Sequence, residues 1–357
     1  MTRSRKGRDL ARQNNLDSLR LLFAAMVALY HAAVLSAAPA LAPLQQWTSP
    51  GIAVDGFFVI SGYLIFQSYD KSRSLADYAA KRARRILPAY GVVVVIIGVA
   101  GALVTILPIQ AYLGPGLFKY LAANLAFLNF LAPTPPGVFL QNPLPAADGA
   151  LWTIKIEVAF YFSVPLLAWL FRRLPKPAVL SSLYLLSYAY YVALSYAFKR
   201  TGHPIYDLLA KQLPGQISFF TAGAAIYYFQ PLFMRWRWPL TVLGLLIVIV
   251  LPFGLDIGPL YPAVLAMAVM GIAFGPYLGN AGKFGDLSYG LYIWHFPVLQ
   301  LLVLNGLFRS NPWNALVLGM ALSMMMAFLS WHLVEKRFLK RSSHYRQVEN
   351  SIPAIER

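Results

Sequence analysis

The sequence predicts an all-α polytopic membrane protein with about ten transmembrane helices and both termini in the cytoplasm. Of its 357 residues, 59% are hydrophobic and 12% are charged, whereas roughly a quarter of the residues in a soluble domain are charged. The apolar runs are about 20 residues long and do not alternate with polar residues, which indicates helices rather than a membrane barrel. The predicted spans are 16–37, 51–69, 86–108, 150–171, 178–198, 213–232, 237–254, 259–279, 286–306 and 313–334.

The distribution of lysine and arginine predicts the orientation of these spans. With the N-terminus inside, 23 of the 30 basic residues fall in cytoplasmic segments and five in outer segments, which agrees with the positive-inside rule. The basic residues form short clusters between apolar runs, so the net charge of +17 favours membrane lipids over nucleic acid as the partner. We predict cytoplasmic tails at 1–15 and 341–357 around a membrane domain at 16–340. The apolar segment 118–131 is too short to span and is expected to lie at an interface or pack back into the bundle.

The first span carries two ionisable side chains, which are costly inside a membrane and are therefore functional candidates. Arg20 and His31 lie on one stripe of the helix, about 16 Å apart along its axis. Ala24, Val27 and Ala28 lie between them on that stripe, and such small residues leave room for a slender ligand. We predict that His31 is functional. The alternative is a snorkelling arginine and a histidine that is hydrogen-bonded in a helix contact.

Carboxylates and a lysine are predicted inside the second and fourth spans. Asp55 enters the membrane near the expected depth of His31, although a capping or interfacial carboxylate is an equal alternative. Glu157 lies about two turns into the fourth span, and Lys155 precedes it by two residues. Side chains two apart do not face each other on a helix, so each needs another partner. A water-filled cavity open to the outer side would satisfy both.

Two arginines and two further ionisable residues complete the candidates. Arg82 and Arg85 are an i, i+3 pair at the mouth of the third span, where guanidinium groups either anchor the helix or bind phosphate. His295, in the ninth span, is more simply explained by packing than by catalysis. Glu335 ends the last span and either pairs with Arg20 or is solvated.

Several segments together give the sequence a resemblance to a known family. They are LDSLRLLFAAMVALYHA, VDGFFVISGYLI, the arginine pair before ILPAY, LWTIKIEVAFYF, SYGLYIWHFP and HLVEKRF. The sequence resembles the acyltransferase-3 group of bacterial carbohydrate O-acyltransferases over most of its length. The resemblance implies a multi-pass protein of the bacterial plasma (inner) membrane that uses cytoplasmic acyl-CoA, usually acetyl-CoA, as co-substrate. It implies an acceptor hydroxyl on surface polysaccharide, lipopolysaccharide or another glycoconjugate, including a lipid-linked sugar.

The resemblance also implies roles for individual residues. His31 matches the family's catalytic histidine, and Arg20, Arg82 and Arg85 match donor-site or structural arginines. The fourth span departs from the usual LWSLSVEEQFYL, because Lys155 replaces a small or aliphatic residue and one glutamate remains. Lys155 therefore reports a particular acceptor.

One mechanism fits these predictions. The phosphates of acyl-CoA bind Arg82 and Arg85, the pantetheine arm follows the small stripe, and His31 acts as general base on the sugar hydroxyl. Asp55 or Glu157 orients the imidazole or binds the acceptor. The chain has no cysteine, so a thiol nucleophile is excluded, and an acyl-histidine or acyl-serine at Ser61 is a less favoured route. Supporting roles are predicted for Ser61, Trp152, Tyr292, His295 and Glu335.

The rival hypothesis is a proton-coupled secondary transporter of a small polar or anionic solute. Embedded charges suit such a carrier, but the sequence has no inverted repeat and no matched pair of broken spans. We expect no metal and no permanently bound cofactor. The oligomeric state is left open by the sequence.

Overall fold

The computed structural model describes residues 14–251, 254–279, 281–340 and 343–346. This part of the chain is mostly helical, and its only β-bridge joins Thr105 to Val138. The predicted all-helical class is confirmed. The predicted tails, 1–15 and 341–357, lie mostly outside the described residues.

Sixteen α-helices lie in the described part of the chain and are numbered in chain order. They are α1 (Leu16–Ser36), α2 (Ala42–Trp47), α3 (Pro50–Asp70), α4 (Leu75–Ala100), α5 (Ile109–Tyr112), α6 (Pro115–Leu125), α7 (Trp152–Phe171), α8 (Lys176–Thr201), α9 (Pro204–Ala210), α10 (Leu213–Tyr228), α11 (Gln230–Val250), α12 (Tyr261–Ala273), α13 (Leu287–Leu304), α14 (Leu307–Ser310), α15 (Pro312–Leu329) and α16 (Lys336–Phe338). A π-helical stretch, Ser330–Glu335, joins the last two helices.

Eight helical segments in the described part are long and apolar enough to cross a membrane. Each of the ten predicted spans overlaps a helix, although α4 begins eleven residues before the predicted span 86–108 and two of the helices are short. The predicted span 213–232 contains the 16-residue α10, and 259–279 contains the 13-residue α12. The number of about ten spans and the cytoplasmic termini therefore stay predictions. The short segment at 118–131 forms the end of α6 and a 3-10 turn at Asn129–Leu131.

The chain divides into two units, which are described separately. The first contains the described residues up to Leu19, with Val54–Ala79 and Ile156–Asn280. The second contains Arg20–Ala53, Ala80–Lys155 and the described residues from Ala281 onward.

In the first unit, helices α3 and α10 approach each other through glycine. A Cβ atom on Gly62 would lie 2.0 Å from the carbonyl oxygen of Phe220, and one on Gly223 would lie 1.9 Å from that of Val59. Glycine is therefore required at both contacts, as at other close helix crossings in membranes.

In the second unit, α13 packs closely on α15, and a loop is tied across α13. A Cβ atom on Gly290 would lie 2.7 Å from the Cα atom of Ala327. Gln300, which is fully buried, accepts a hydrogen bond from Asn142 at 2.6 Å and donates one to the carbonyl oxygen of Leu144 at 2.7 Å. These bonds fix the loop that precedes α7 against the C-terminal third of α13.

Candidate active site

Two histidines of the second unit meet side by side. The Nδ1 atom of His31 on α1 lies 2.8 Å from the Nε2 atom of His295 on α13, and the two rings are inclined by only 11°. His295 has no exposed surface, whereas His31 is partly exposed. A substrate can therefore touch His31, and His295 can act only through His31.

The hydrogen bonds of the pair define which nitrogen of each ring carries hydrogen. The Nδ1 atom of His295 lies 3.1 Å from the carbonyl oxygen of Leu291, and a carbonyl oxygen only accepts, so this Nδ1 carries the hydrogen. In the neutral pair the Nε2 atom of His295 is then an acceptor, and His31 donates to it from Nδ1. The lone pair of His31 is consequently on Nε2. This is the arrangement that a general base requires.

Apolar and hydroxyl contacts hold the two rings in place. Phe296 packs edge-on against His31, with ring centroids 5.1 Å apart. A Cβ atom on Gly149 would lie 2.8 Å from the Phe296 ring. The loop before α7 can therefore approach this ring so closely only because residue 149 is glycine. Tyr292, one of the predicted supporting residues, places its ring 6.0 Å from that of His295. Its hydroxyl is hydrogen-bonded to Thr153 at 2.7 Å.

A second cluster in the same unit joins two arginines to two carboxylates. Arg20 lies 2.8 Å from an oxygen of Asp286, and Arg85 binds the same oxygen. The other branch of the Arg85 guanidinium lies 2.9 Å from Glu335. The Tyr345 hydroxyl accepts a hydrogen bond from Arg20. Arg85, Asp286 and Glu335 are buried. We call these three residues and Arg20 the buried ion network, and their four side chains carry two positive and two negative charges.

The buried ion network gives Arg20, Arg85 and Glu335 partners that differ from those predicted for them. Glu335 was expected to pair with Arg20 or be solvated, but the structure gives it Arg85 as a partner and buries it. Ser330 donates a further hydrogen bond to it at 2.9 Å. Because both carboxylates already bind the Arg85 guanidinium, a phosphate would have to displace one of them. Arg82, one turn earlier on α4, is only half-buried.

The small stripe of α1 does not form the predicted opening. Ala24 and Ala28 are fully buried, and Val27 is 1% exposed. Small residues allow close approach of neighbouring backbone as readily as of a ligand, and here the space is filled. The expectation of a slender ligand along this stripe is wrong for this structure.

Asp55, Glu157 and Ser61 lie in the first unit. Asp55 accepts a hydrogen bond from Tyr261 at 3.2 Å, and Glu157 accepts one from Tyr161 at 2.6 Å. Ser61 is half-buried on α3. Trp152 is a half-buried residue at the start of α7. The catalytic role of the two carboxylates and the supporting roles of Ser61 and Trp152 stay predictions.

Two aspartates of the second unit were missed by the sequence analysis. Asp286 holds both arginines and also caps α13, since its side chain accepts from the Ser288 amide. Asp148, in the loop before α7, accepts from the Ala150 amide at 3.0 Å. Burial raises the pKa of Asp148 well above its ordinary value. Asp148 comes just before the predicted span 150–171, and Asp286 is the first residue of the predicted span 286–306. This position is the only signal that the sequence carries. Within the described residues, no cluster of three or more His, Asp or Glu side chains is placed to hold a metal ion.

Comparison with known proteins gives consistent matches along nearly the whole chain. The model of a family described as an acyltransferase domain matches residues 13–333. The O-acetyl transferase of Shigella phage Sf6 is 30% identical over 341 residues, which cover 93% of this chain and 98% of the phage protein.

More distant relatives have related names. The peptidoglycan O-acetyltransferase OatA of Listeria monocytogenes is 24% identical, over 90% of this chain and 55% of its own. The exopolysaccharide production protein ExoZ of Rhizobium meliloti is 28% identical, over 81% of this chain and 87% of its own. No solved structure matches the chain.

Proposed function

Because the chain belongs to the acyltransferase-3 family, we propose that it moves an acetyl group from cytoplasmic acetyl-CoA to a sugar hydroxyl of a surface glycan. It is an acyltransferase by family, which decides against the carrier hypothesis. The printed names of two relatives, a peptidoglycan O-acetyltransferase and an exopolysaccharide production protein, support a glycan acceptor. The charge asymmetry of the sequence supports a location in a bacterial inner membrane, with the donor-binding site on the cytoplasmic face.

The observation that carries the proposal is the pair of histidines. A partly exposed imidazole with its lone pair on Nε2 supports the role of a base that removes a proton from a hydroxyl. The buried His295 behind it accepts the hydrogen bond of His31 Nδ1 and so keeps the ring in the reactive tautomer. This is the orienting role that the third member of a catalytic triad has.

The transfer then proceeds in one balanced sequence. The Nε2 atom of His31 takes the proton of the sugar hydroxyl while the oxygen bonds to the thioester carbonyl carbon. The tetrahedral intermediate collapses with cleavage of the carbon–sulfur bond. The CoA thiolate leaves and takes the proton back from His31. The products are the sugar ester and free CoA, and no acyl-enzyme is needed.

The test of this proposal is CoA release from inverted membrane vesicles, in which the cytoplasmic face is outside. Added acetyl-CoA should be converted to free CoA, which a thiol reagent detects without background from this protein because the chain has no cysteine. Mass spectrometry of the host's surface glycans, with and without the protein, should then show a mass gain of one acetyl group. Vesicles with His31→Gln protein are the control. Equal CoA release from wild-type and control vesicles would contradict the proposal.

Donor binding gives a second expected result. We propose that Arg82 binds a phosphate of CoA and that Arg20 and Arg85 are held in the buried ion network. Arg82→Ala should then weaken CoA binding by about 10- to 150-fold, since a hydrogen bond to a charged group is worth roughly 1.5–3 kcal/mol. The measurement is equilibrium binding of CoA to purified protein.

The matched control for Arg82 is the exposed Arg84 on the same helix. Arg84→Ala removes the same charge from the same basic cluster and should change CoA affinity by less than about threefold, as expected for a screened surface charge. Equal losses in both variants would show a general electrostatic effect. Unchanged affinity in Arg82→Ala would leave this arginine as a membrane anchor.

A further inference from the structure

An open apolar groove lies in the first unit, between helices α10 and α11. A single residue, Phe229, separates the end of α10 from the start of α11. The groove has a volume of about 570 Å³, which is within the usual range of small-molecule sites. Every side chain that lines it is apolar or aromatic. On α11 these side chains recur at helical spacing from Leu232 through Trp236 and Pro239 to Leu243, so they form one stripe of the helix.

The charges of α11 are confined to its first half. Arg235 and Arg237 lie there beside two tryptophans, whereas no residue of α11 from Pro239 onward is charged. Arginine and tryptophan at one end of an apolar helix are typical of the membrane–water interface. At 1.5 Å per residue, the stripe from Leu232 to Leu243 extends about 16 Å along the helix, close to half the thickness of the ~30 Å hydrocarbon core. The groove therefore leads from the headgroup level into one leaflet.

Arg235 places positive charge beside this groove. Its guanidinium carbon lies 5.9 Å from the centroid of the Trp236 ring, which lines the groove, and its side chain is exposed. Arg237 is half-buried and donates a hydrogen bond to the carbonyl oxygen of Phe274 at 3.1 Å. Among the described residues, no carboxylate oxygen lies within 4 Å of either guanidinium group. The sequence has no Asp or Glu from residue 208 to residue 255, so the headgroup end of the groove calls for an anion.

We propose that this groove binds an anionic phospholipid, with an acyl chain along α11 and the phosphate on Arg235. The inference is independent of the proposed acyltransferase activity. An acyl chain is as apolar as the side chains around it, so filling the groove does not select one lipid over another. Selection comes from the charge-assisted hydrogen bond between phosphate and guanidinium. The positive charge of Arg235 and Arg237 favours an anionic lipid over a zwitterionic one, because the zwitterion brings a cation of its own.

The experiment is a competition between two lipids. Purified protein in detergent is incubated with equal amounts of dioleoyl phosphatidylglycerol and dioleoyl phosphatidylcholine, and the retained lipids are identified by native mass spectrometry. The two lipids have the same acyl chains, and only the first has a net charge. We expect wild-type protein to retain phosphatidylglycerol with at least a tenfold preference.

Variants then assign this preference to the groove. Arg235→Gln should reduce it to less than about threefold, because a neutral amide is a weaker partner for phosphate. Ala225→Leu fills the α10 side of the groove without changing the charge, and it should reduce the retention of both lipids. The matched control is Arg173→Gln. Arg173 is also an exposed arginine of the first unit beside a tryptophan, 4.4 Å from the Trp169 ring, but Trp169 does not line the groove. This control should keep the wild-type preference.

Several results would overturn the inference. Equal retention of the two lipids by wild-type protein would do so, as would a preference that persists in Arg235→Gln. An equal loss in Arg173→Gln would show a general effect of surface charge. Unchanged lipid retention in Ala225→Leu would place the lipid elsewhere on the protein. A wild-type dimer that dissociates in Ala225→Leu would assign the groove to a second copy of this chain.

Discussion

Replacing His31 by glutamine should lower the rate of acetyl transfer by about 100- to 10,000-fold, the usual contribution of a general base. Glutamine keeps the polarity and approximate size of histidine but cannot take a proton near neutral pH. The measurement is CoA release at saturating acetyl-CoA. Because His31 contacts the reacting hydroxyl and not the nucleotide, the affinity for CoA should change little. Near-normal turnover by folded His31→Gln protein would overturn the catalytic assignment.

The pairing with His295 gives this prediction a graded control. In His295→Gln the side-chain oxygen can accept from His31 Nδ1 while the amide donates to the Leu291 carbonyl, so orientation of His31 is preserved. In His295→Leu no acceptor remains, and the His31 ring loses its tautomer preference. We expect the glutamine variant to retain much more activity than the leucine variant, although both are folded. Equal losses would mean that His295 only fills space.

The pH dependence separates the two histidines further. Wild-type activity should fall on the acid side, because a protonated His31 cannot accept a proton. In His295→Leu the acid limb should move, since the hydrogen bond that stabilises the imidazolium of His31 is lost. A purely structural role of His295 would lower the rate without moving the limb.

Long-range pairings explain much of what the sequence could not predict at this site. His31 was identified because a histidine inside a span needs a reason, and the helices were located because apolar runs of this length span membranes. His295 is 264 residues further along the chain, and nothing in its own span distinguishes a partner of His31 from a packed histidine. Helix periodicity predicts on which face of a helix a residue lies, but it does not predict which other helix packs against that face.

The buried stripe of α1 shows the same limitation. The spacing correctly placed Ala24 and Ala28 on one face with Arg20, but small side chains admit a neighbouring helix as well as a ligand. Asp286 escaped notice for a related reason. An aspartate at the start of a span is an ordinary helix cap, which Asp286 is. Its ion pairs with Arg20 and Arg85 depend on the packing of three separate helices.

Replacing Asp286 by alanine should lower the free energy of unfolding by about 3–5 kcal/mol, the cost of removing one partner from a buried ion pair. The carboxylate binds two guanidinium groups, so its loss removes the counterion that Arg20 and Arg85 share. The helix cap is lost as well, which adds roughly 1 kcal/mol. Asp286→Asn keeps the cap and isolates the charge effect, and it should still cost most of this amount.

The matched control for Asp286 is Asp207, which forms an exposed pair with Lys211 at 2.7 Å. Asp207→Ala deletes the same group and should change stability by only about 0.3–0.5 kcal/mol, since an exposed i, i+4 pair is screened by water. Stability is measured by denaturant titration in detergent micelles. If Asp286→Ala were within 1 kcal/mol of the Asp207 control, the network would be solvated rather than buried. Arg20 and Arg85 would then be available to a phosphate, and the donor site would extend from Arg82 to include them.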